Sequence, residues 1–251
     1  MEEQFISKGI RIADLGLFFE NEKALCISDL QLGYEASMHK TGLLLPQFNF
    51  SEIKKRLVGK ILPLVKAEKI ILNGDIKHEF SRISEQEWRE TLDIFSLLKK
   101  HCKEIVIVKG NHDVFLGPIA KWENIEIREN YFLPEEKIFF THGHKIPESK
   151  EFAKAKTVVV GHEHPAITIR DGTKKEKFKC FLKGKFAEKT LIVQPSLSAI
   201  TEGTDVLNES FLSPFLKNGI SGFEVWAIED KPYYFGKIRD IIRSVKNNNL
   251  L

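Results

Sequence analysis

Five short apolar runs in this chain are each followed directly by residues that can bind metal ions or phosphate, and this repeated pattern constrains the fold most strongly. Apolar runs of this length are typical of strands buried in a sheet. The carboxyl ends of parallel strands meet at one edge of an α/β sheet, so the polar groups that follow them are expected at one site. The clusters are Asp29-Leu30-Gln31, Asn73-Gly74-Asp75, Gly110-Asn111-His112-Asp113, Thr141-His142-Gly143-His144 and Gly161-His162-Glu163-His164.

The rest of the chain predicts alternating strands and helices in the first half and mostly strands in the second half. This order favours an α/β sandwich of two sheets covered by helices, in a single domain over 1–245 with a frayed polar tail at 246–251. A helix is expected over 51–66, with Ser51 as N-cap and an end near Pro63, and a second helix from Ser84 to about Lys100. Strands are expected over 10–19, 23–28, 69–72, 104–108, 137–141, 157–160, 165–170, 178–182, 190–193, 223–228 and 232–235.

The composition excludes several classes of protein. Hydrophobic residues make up 42% and charged residues 29% of the 251 residues, values that do not suit a disordered or collagen-like chain. Cys26, Cys102 and Cys180 are far apart in the sequence, which excludes a disulfide framework and fits a reducing compartment. No apolar run approaches the ~18 residues of a membrane span. We therefore expect a cytoplasmic protein without a membrane partner.

The donor atoms of the five clusters predict a metal centre. Asp, Asn and His offer oxygen and nitrogen donors and no thiolate, a set that suits Mn, Fe or Zn, and Mg where oxygen dominates. The donors exceed what one tetrahedral ion requires. Two divalent ions are the economical interpretation, and ions ~3.5–4 Å apart are a common arrangement for phosphoester cleavage.

In this order, the five motifs resemble those of the calcineurin-like metallophosphoesterase superfamily, over residues 25 to about 195. The stretches SDLQLGYE at 28–35 and GDIKHEF at 74–80 are most similar to the small SbcD-related phosphoesterases of archaea and bacteria, and GTDVLNESFLSPFL at 203–216 also fits that subgroup. The resemblance implies a four-layer α-β-β-α sandwich and a metal-dependent phosphoesterase.

The resemblance also implies a ligand set for each of two metal ions. Asp75 would bridge the two ions. The superfamily's usual first motif is Asp-x-His, and Gln31 replaces its histidine, which predicts a weaker first site and a shift toward Mn or Mg. Contact of Gln31 with the metal through water is the alternative. Carried over by motif position, the first ion takes Asp29, Gln31, Asp75 and His164, and the second ion takes Asn111, His142 and His162 together with Asp75.

The implied reaction is in-line attack by a metal-bridging hydroxide, with His112 assisting the leaving group. His78 lies three residues after Asp75, where related break-repair nucleases place a histidine that faces the phosphate. This offset favours diesters and makes His78 a second candidate catalytic residue. For both His78 and His144 the alternative is an ordinary loop residue, and His144 could also support the ligands from behind.

Substrate hints outside the metal centre are weaker. Residues 170–189 carry eight basic and three acidic residues, a net +5, so the rest of the chain carries −2. This segment is either a track for a polyanion such as DNA or RNA, or a solvated hairpin with lysines along a strand edge. The apolar stretches 33–50 and 211–216 are expected to be buried, with an exposed surface for association, including a homo-oligomer, as the alternative.

Three functions compete at this level. The first is a metal-dependent phosphodiesterase, including a nuclease on DNA or RNA. The second is a phosphomonoesterase or nucleotide pyrophosphatase acting on a small substrate. The third is a scaffold of the same fold without turnover, disfavoured because one ligand position departs from the motif and six agree with it.

Overall fold

The first sheet contains the strands that lead into three of the five clusters. The computed structural model describes residues 4–40, 42, 48–79, 83–171 and 174–247. In this part of the chain seven strands form a sheet in sequence order, antiparallel from the first to the fourth strand and parallel from the fourth to the seventh. They are β1 (Phe5–Ser7), β2 (Ile10–Ala13), β3 (Gly16–Phe19), β4 (Ala24–Ile27), β5 (Lys69–Asn73), β6 (Glu104–Val108) and β7 (Glu126–Arg128).

A second sheet contains the strands that lead into the other two clusters. Its path runs β14-β11-β12-β13-β10-β9-β8, and β15 extends it by pairing with both β12 and β16. The strands β9, β10 and β13 are parallel neighbours. The nine strands are β8 (Tyr131–Leu133), β9 (Ile138–Phe140), β10 (Thr157–Val160), β11 (Pro165–Asp171), β12 (Lys174–Phe186), β13 (Lys189–Val193), β14 (Thr204–Asp205), β15 (Glu224–Ile228) and β16 (Pro232–Lys237).

The two sheets pack face to face, as the alternation of side chains along their strands shows. Phe140 on β9 lies in the core shared with the first sheet, and its ring centroid is 5.1 Å from that of Phe19. Its neighbour Phe139 lies in a separate core on the opposite face. Successive strand residues point to opposite faces, so one run of apolar residues supplies both cores.

Helices cover the outer faces and complete the four layers. On the first sheet, Ile53, Ile94 and Ile119 from three helices belong to the same apolar cluster as the residues of that sheet. On the second sheet, Phe152 and Ile238 from two helices pack against the outer core. The helices are α1 (Tyr34–Lys40), α2 (Asn49–Arg56), α3 (Glu85–Lys99), α4 (Gly117–Trp122), α5 (Lys150–Lys154) and α6 (Ile238–Asn247).

Several predicted elements are confirmed. The capping box of α3 has both of its hydrogen bonds, with Ser84 Oγ accepting from the Glu87 backbone N–H and Glu87 accepting from that of Ser84. The strands predicted over 69–72, 104–108 and 157–160 match β5, β6 and β10 to within a residue. The three cysteines are free thiols.

The single strand predicted over 10–19 is wrong. The chain reverses at Asp14, whose φ is 56°, and forms the β2–β3 hairpin. The carboxylate of Asp14 accepts from the Leu15 N–H at 2.8 Å and forms an ion pair with Arg56. The turn contains neither Asn-Gly nor Gly-Gly, so the local sequence gives little indication of a hairpin. Its Asp14 instead forms an ion pair with a distant helix.

The predicted helix over 51–66 is wrong in its start and its cap, whereas its expected end near Pro63 agrees with the last helical turn, Leu62–Leu64. Helix α2 begins at Asn49, and the Glu35 carboxylate accepts from the Asn49 N–H at 2.7 Å, while the Ser51 hydroxyl donates to the Phe48 carbonyl. The chain then continues through a π turn and a 3₁₀ turn that includes Pro63. A capping side chain from another helix is invisible to a local pattern.

Two further expectations fall partly outside the described residues. The stretch 33–50 contains α1 and the start of α2, and residues 41 and 43–47 lie outside the described part. Helix α6 was not predicted and runs through Asn247, so it includes the first two residues of the expected tail, while 248–251 are not described. The division into one domain and a tail stays a prediction.

Among the helices that the structure describes, none combines the length and the apolar character needed to cross a membrane.

Candidate metal centre

The five predicted clusters lie at the carboxyl ends of β4, β5, β6, β9 and β10, and backbone hydrogen bonds connect them. The Asp29 N–H donates to the Gly74 carbonyl at 3.1 Å, which joins the first two clusters within one sheet. The His162 N–H donates to Asp29 Oδ2 at 3.1 Å, which joins the two sheets. The edges of both sheets therefore meet where the sequence places its donor atoms.

The backbone of this region adopts a left-handed conformation that residues other than glycine rarely adopt. Five of the predicted site residues have φ between 44° and 65°. Left-handed conformations of this kind cost free energy and persist where the surrounding structure imposes them, which is common at functional sites. The five residues are Asp29, Gln31, Asp75, His162 and His164.

Two glycines allow the strand ends to approach each other closely. A Cβ atom built on Gly74 would collide with the His142 ring, and one built on Gly110 would collide with the Asp75 side chain. Gly74 also has a φ of +87°. The Gly-Asp and Gly-Asn motifs therefore need glycine for space beside the donor atoms as well as for the turn.

Three donor atoms converge on Nε2 of the His142 ring. Its Nε2 lies 3.0 Å from Asn111 Oδ1, 3.2 Å from His162 Nδ1 and 3.3 Å from Asp75 Oδ2. A metal ion needs several His, Cys, Asp or Glu ligand atoms close together. Among the described residues, such a group is formed by Asp75, His142 and His162, whose ligand atoms all lie within 4.8 Å of one another. This convergence is the geometric core of the candidate centre.

These residues fit a divalent metal ion. Tetrahedral ligands at metal distances of about 2.1 Å lie about 3.4 Å apart, close to the separations around His142 Nε2. Asp29 Oδ1, His142 Nδ1 and His164 Nε2 are buried and form no hydrogen bond within the described part of the chain. Buried polar atoms normally have partners, so unpaired donor atoms beside such a cluster indicate that a ligand belongs there.

The pKa values show how strongly the site favours a positive charge. Burial alone would lower the pKa of His142, but the neighbouring Asp75 and Asp29 carboxylates outweigh it and raise that pKa to about 9. Burial would raise the pKa of Asp75, but His142 and His112 outweigh it and hold that pKa well below its usual range. Burial, followed by the charge of His142, lowers the pKa of His162 to about 4. The cluster thus holds a proton on His142 where a cation would otherwise sit.

The predicted first-metal residues are less tightly grouped. Asp29 Oδ1 lies 3.2 Å from His164 Nε2 and 3.7 Å from His142 Nδ1. Gln31 is buried at the same place, with its side-chain amide nitrogen 3.3 Å from Asp75 Oδ2. The structure therefore brings Asp29, His164 and Gln31 to the edge of the cluster around His142.

A family model for calcineurin-like phosphoesterases matches residues 23–185, which is well over half of the chain. The chain belongs to the calcineurin-like phosphoesterase family. Enzymes of this family use divalent metal ions to hydrolyse phosphoesters, and the cluster around His142 is a candidate site for such an ion. The two sheets with covering helices are the fold of this phosphoesterase family.

A solved nuclease structure shares the fold, and two further solved structures show weaker similarity. The nuclease MPE of Pseudomonas putida is 18% identical, with a TM-score of 0.59 over 90% of this chain and 96% of the nuclease. A predicted phosphoesterase of Streptococcus pneumoniae is 16% identical, with a TM-score of 0.32 over 85% of this chain and 97% of that one. Vps29 of Entamoeba histolytica complexed with zinc is 16% identical, with a TM-score of 0.34 over 84% and 91% of the two chains. No curated protein matches the chain.

The two predicted catalytic histidines lie beside this phosphoesterase centre. The His112 N–H donates to Asp75 Oδ1 at 3.0 Å, and its Nε2 is 3.7 Å from Asp75 Oδ2. Its Nδ1 pairs with the His78 backbone carbonyl. The His78 ring stacks on that of His112, with centroids 5.5 Å apart, and the Tyr34 ring lies tilted against it with centroids 4.5 Å apart. His78 is therefore half-buried within the site instead of being an exposed loop residue.

Asp113 and Glu163 support the loops of the site. Asp113 accepts from the Gly110 N–H at 2.9 Å and from the Ile76 N–H at 3.0 Å, so it caps the loop. Glu163 points away from the cluster and accepts from the Leu212 N–H at 2.9 Å and the Ser213 N–H at 2.8 Å. These acidic side chains hold the backbone of the loops that carry the candidate metal ligands.

A supporting layer that the sequence patterns did not reveal lies behind Asp29 and Gln31. The Ser196 hydroxyl donates to the Asp29 carbonyl at 2.8 Å, and the Asn49 amide donates to the Gln31 carbonyl at 3.1 Å. Asn49 Oδ1 also accepts from the Ala199 N–H at 2.7 Å. Ser196 follows β13, a parallel strand that ends at the same sheet edge. Its position after such a strand is the sequence feature from which its place near the site could have been predicted. Asn49 had no local signal.

The basic segment at 170–189 uses many of its lysines for structural contacts. Four of its seven lysines donate to backbone carbonyl groups, and two of these four also pair with Glu209 or Glu224. These contacts agree with the interpretation of a hairpin with lysines along its edges. Lys177, Lys179, Lys183 and Lys189 donate to the carbonyls of Gly203, Ser196, Ser198, Ile6, Ala153 and Ala155.

Proposed function

We propose that the chain is a divalent-metal-dependent phosphodiesterase that acts on DNA or RNA. The observation that carries this proposal is the convergence of Asp75, His142 and His162, with Asn111 Oδ1 3.0 Å from His142 Nε2. The nuclease MPE, which shares the fold at 18% identity, gives the substrate class additional support.

The proposed ligand set follows the geometry of the cluster. Asp75 has two carboxylate oxygens, one facing His142 and the other accepting from the His112 N–H, so it is the residue that can serve both metal positions. Asn111, His142 and His162 complete one position around it, and Asp29 and His164 belong to the other. Oxygen and nitrogen donors without thiolate favour Mn²⁺, with Mg²⁺, Fe²⁺ or Zn²⁺ as alternatives.

Bound ions would supply Lewis-acid activation of water and neutralisation of the charge on the phosphoryl oxygens. The chain's own residues hold the substrate group and the proton. His112 Nδ1 pairs with the His78 carbonyl, so the protonated ring would use its Nε2–H to donate to the leaving oxygen. The stacking of His78 on His112 limits rotation of both rings. In this arrangement His112 acts as the general acid.

The preference for diesters rests on His78. Its ring centroid lies 5.5 Å from that of His112, and a second imidazole, when protonated, would offer a hydrogen bond to a phosphoryl group that carries two ester substituents. A monoesterase acting on a small substrate remains the competing outcome of the test below.

The test is a substrate panel with Mn²⁺, Mg²⁺, Zn²⁺ and Fe²⁺. We expect Mn²⁺-dependent hydrolysis of bis-para-nitrophenyl phosphate and cleavage of single-stranded DNA or RNA, and no hydrolysis in chelator. Full rates on para-nitrophenyl phosphate without cleavage of oligonucleotides would replace the proposal by a phosphomonoesterase. Metal bound without hydrolysis of any phosphoester would indicate a scaffold. A cytoplasmic location and a homo-oligomer stay predictions.

A further inference from the structure

Gln31 replaces the histidine of the usual Asp-x-His motif, and its backbone is fixed beside the metal centre. Its N–H donates to the Asp75 carbonyl at 3.0 Å, and its carbonyl accepts from the Asn49 side-chain amide. Its φ of 52° lies in the left-handed region, and 5% of the residue is exposed. The position of the Gln31 side chain is therefore restricted, and few other partners are within its reach.

Both ends of the Gln31 carboxamide have partners within the protein. Oε1 lies 2.7 Å from His78 Nδ1, and Nε2 lies 3.3 Å from Asp75 Oδ2. The reverse orientation would place an amide oxygen against a carboxylate oxygen, and two acceptors repel each other. The carbonyl oxygen therefore faces His78, and the nitrogen, which cannot ligate a cation, faces the proposed bridging carboxylate.

The two proposed metal positions are consequently unequal. Asp75 Oδ2 is shared at 3.3 Å between His142 Nε2, which belongs to the converged cluster, and the Gln31 amide. On the side of Gln31, the remaining candidate donors are Asp29 Oδ1 and His164 Nε2, 3.2 Å apart. Because the Gln31 oxygen is paired with His78, this position offers fewer ligands to an ion.

We propose that Gln31 is a positioning residue and not a metal ligand. It links the Asp75 carboxylate to the His78 ring, and it leaves the position of Asp29 and His164 as the weaker of two metal positions. This inference rests on the proposed metal centre but does not require hydrolysis of any particular substrate.

The link fixes one tautomer of His78. An oxygen acceptor 2.7 Å from Nδ1 requires that this nitrogen carry the hydrogen, so Nε2 is the free ring nitrogen. The rings of Tyr34 and His112 also pack against it, with centroids at 4.5 Å and 5.5 Å. Gln31 thereby sets the role of each ring nitrogen: Nε2 of the neutral ring is an acceptor, and His78 can donate to a phosphate only when Nε2 is protonated as well.

The first experiment measures metal affinity and not activity. We titrate Mn²⁺ into the wild-type protein and into Gln31→His, by calorimetry and electron paramagnetic resonance. The wild type is expected to bind the first ion at least about tenfold more tightly than the second, a difference typical of an altered coordination shell. Gln31→His is expected to reduce that difference and to produce a spin-coupled two-manganese spectrum at two equivalents. Two equally tight ions in the wild type would overturn the proposal.

The second experiment reads the tautomer of His78 directly. Long-range ¹H–¹⁵N spectra of the metal-free protein are compared with those of Gln31→Met, which has similar length but cannot accept the hydrogen bond. The wild type is expected to show His78 with the hydrogen on Nδ1, and Gln31→Met to lose this preference while His101, on the surface, keeps its signals. An unchanged His78 tautomer in Gln31→Met would contradict the positioning role.

The two experiments separate this inference from the proposed function. If no phosphodiester is cleaved while both readouts appear as expected, the proposed function fails and the role of Gln31 stands. If diesters are cleaved but Gln31→Met loses one bound Mn²⁺ and His78 is unchanged, Gln31 is a ligand and the inference fails. If Gln31→Met does not fold, the wild-type titration still tests the inference, because two equally tight ions would overturn it.

Discussion

Asp75 illustrates how the environment of one residue determines its chemistry. Its Oδ1 accepts from the His112 N–H at 3.0 Å, and its Oδ2 lies 3.3 Å from His142 Nε2. Although burial opposes ionisation, the neighbouring histidines keep the pKa of this carboxyl well below its usual range. An anionic carboxylate with both oxygens oriented toward donor atoms is the group that two cations can share.

Replacement of this carboxylate should disable the centre. In Asp75→Asn the side chain keeps its shape but is neutral and offers a single oxygen. We expect at least about a 100-fold loss of Mn²⁺-dependent hydrolysis, corresponding to several kcal/mol of lost charge stabilisation. The measurement is kcat/KM on bis-para-nitrophenyl phosphate, together with Mn²⁺ affinity. Asp93→Asn, at an exposed position of α3, is the matched control. Wild-type activity in Asp75→Asn would refute the bridging role.

His112 should affect turnover without affecting metal content. His112→Asn removes the proton donor at Nε2, so kcat is expected to fall about 100- to 10,000-fold, the range for a general acid. The number of bound Mn²⁺ ions, measured by elemental analysis, is expected to stay unchanged. The surface variant His101→Asn serves as the control. Loss of an ion in His112→Asn would show that His112 is a ligand.

Metal binding should release a proton from His142. Its pKa of about 9 means that the ring is protonated in the metal-free protein at neutral pH, whereas a ligand must be neutral. At about pH 7.5 we expect about one proton released per ion at this position, and affinity that rises about tenfold per pH unit until the pH reaches the pKa. Calorimetry in buffers of different ionisation enthalpy measures the proton count. Binding without proton release would contradict this pKa.

At the scale of the element, helix starts depend on which groups satisfy the first backbone N–H groups. In α3 these partners are local, since Ser84 and Glu87 are three residues apart and form a capping box. In α2 the partner is Glu35, fourteen residues earlier in the sequence. For this reason the start of α3 could be predicted from the sequence and that of α2 could not.

The difference between these helices predicts different effects of two similar substitutions. Ser84→Ala removes a capping hydrogen bond and should lower the free energy of unfolding by about 1 kcal/mol. Ser51→Ala removes an exposed hydroxyl that does not cap α2, and its effect should stay within about 0.5 kcal/mol. Urea denaturation of the metal-free protein measures both values. Equal losses would show that the capping box is not the source.

At the scale of the whole molecule, the metal centre joins the two sheets. Asp75 follows β5 of the first sheet, whereas His142 and His162 follow β9 and β10 of the second. In the metal-free protein the direct links between these edges include the bond from the His162 N–H to Asp29 Oδ2. An ion shared by Asp75 and His142 would therefore connect both layers of the sandwich.

Mn²⁺ should consequently stabilise the folded protein. An ion that binds only the folded state at 100 times its Kd adds about 2.7 kcal/mol to the free energy of unfolding. We expect Tm, measured by calorimetry, to rise with Mn²⁺ and to return to its metal-free value in excess chelator. Asp75→Asn is expected to lose most of this increase. An unchanged Tm in the wild type would mean that the ion does not bind the folded state selectively.

The family and the kind of site could be predicted from the sequence, because both depend on local patterns. Apolar runs form buried strands wherever they occur, and a donor that follows a parallel strand is carried to the common sheet edge. The motif from Gly161 to His164 and the motif at Asn111 therefore predicted a candidate metal centre from the sequence. The cap of α3 could be predicted for the same reason.

The partners of individual side chains were decided only by the tertiary structure. The contact between Gln31 and His78, the support of Gln31 by Asn49 and the turn at Asp14 all join residues that are far apart in the sequence or depend on such residues. A hydrogen bond forms only when two groups lie about 3 Å apart, and that distance follows from the packing of whole sheets and helices. The sequence thus determined which donor groups reach the sheet edge, while the packing of the two sheets determined which of them converge in the candidate metal centre and which contact other protein groups.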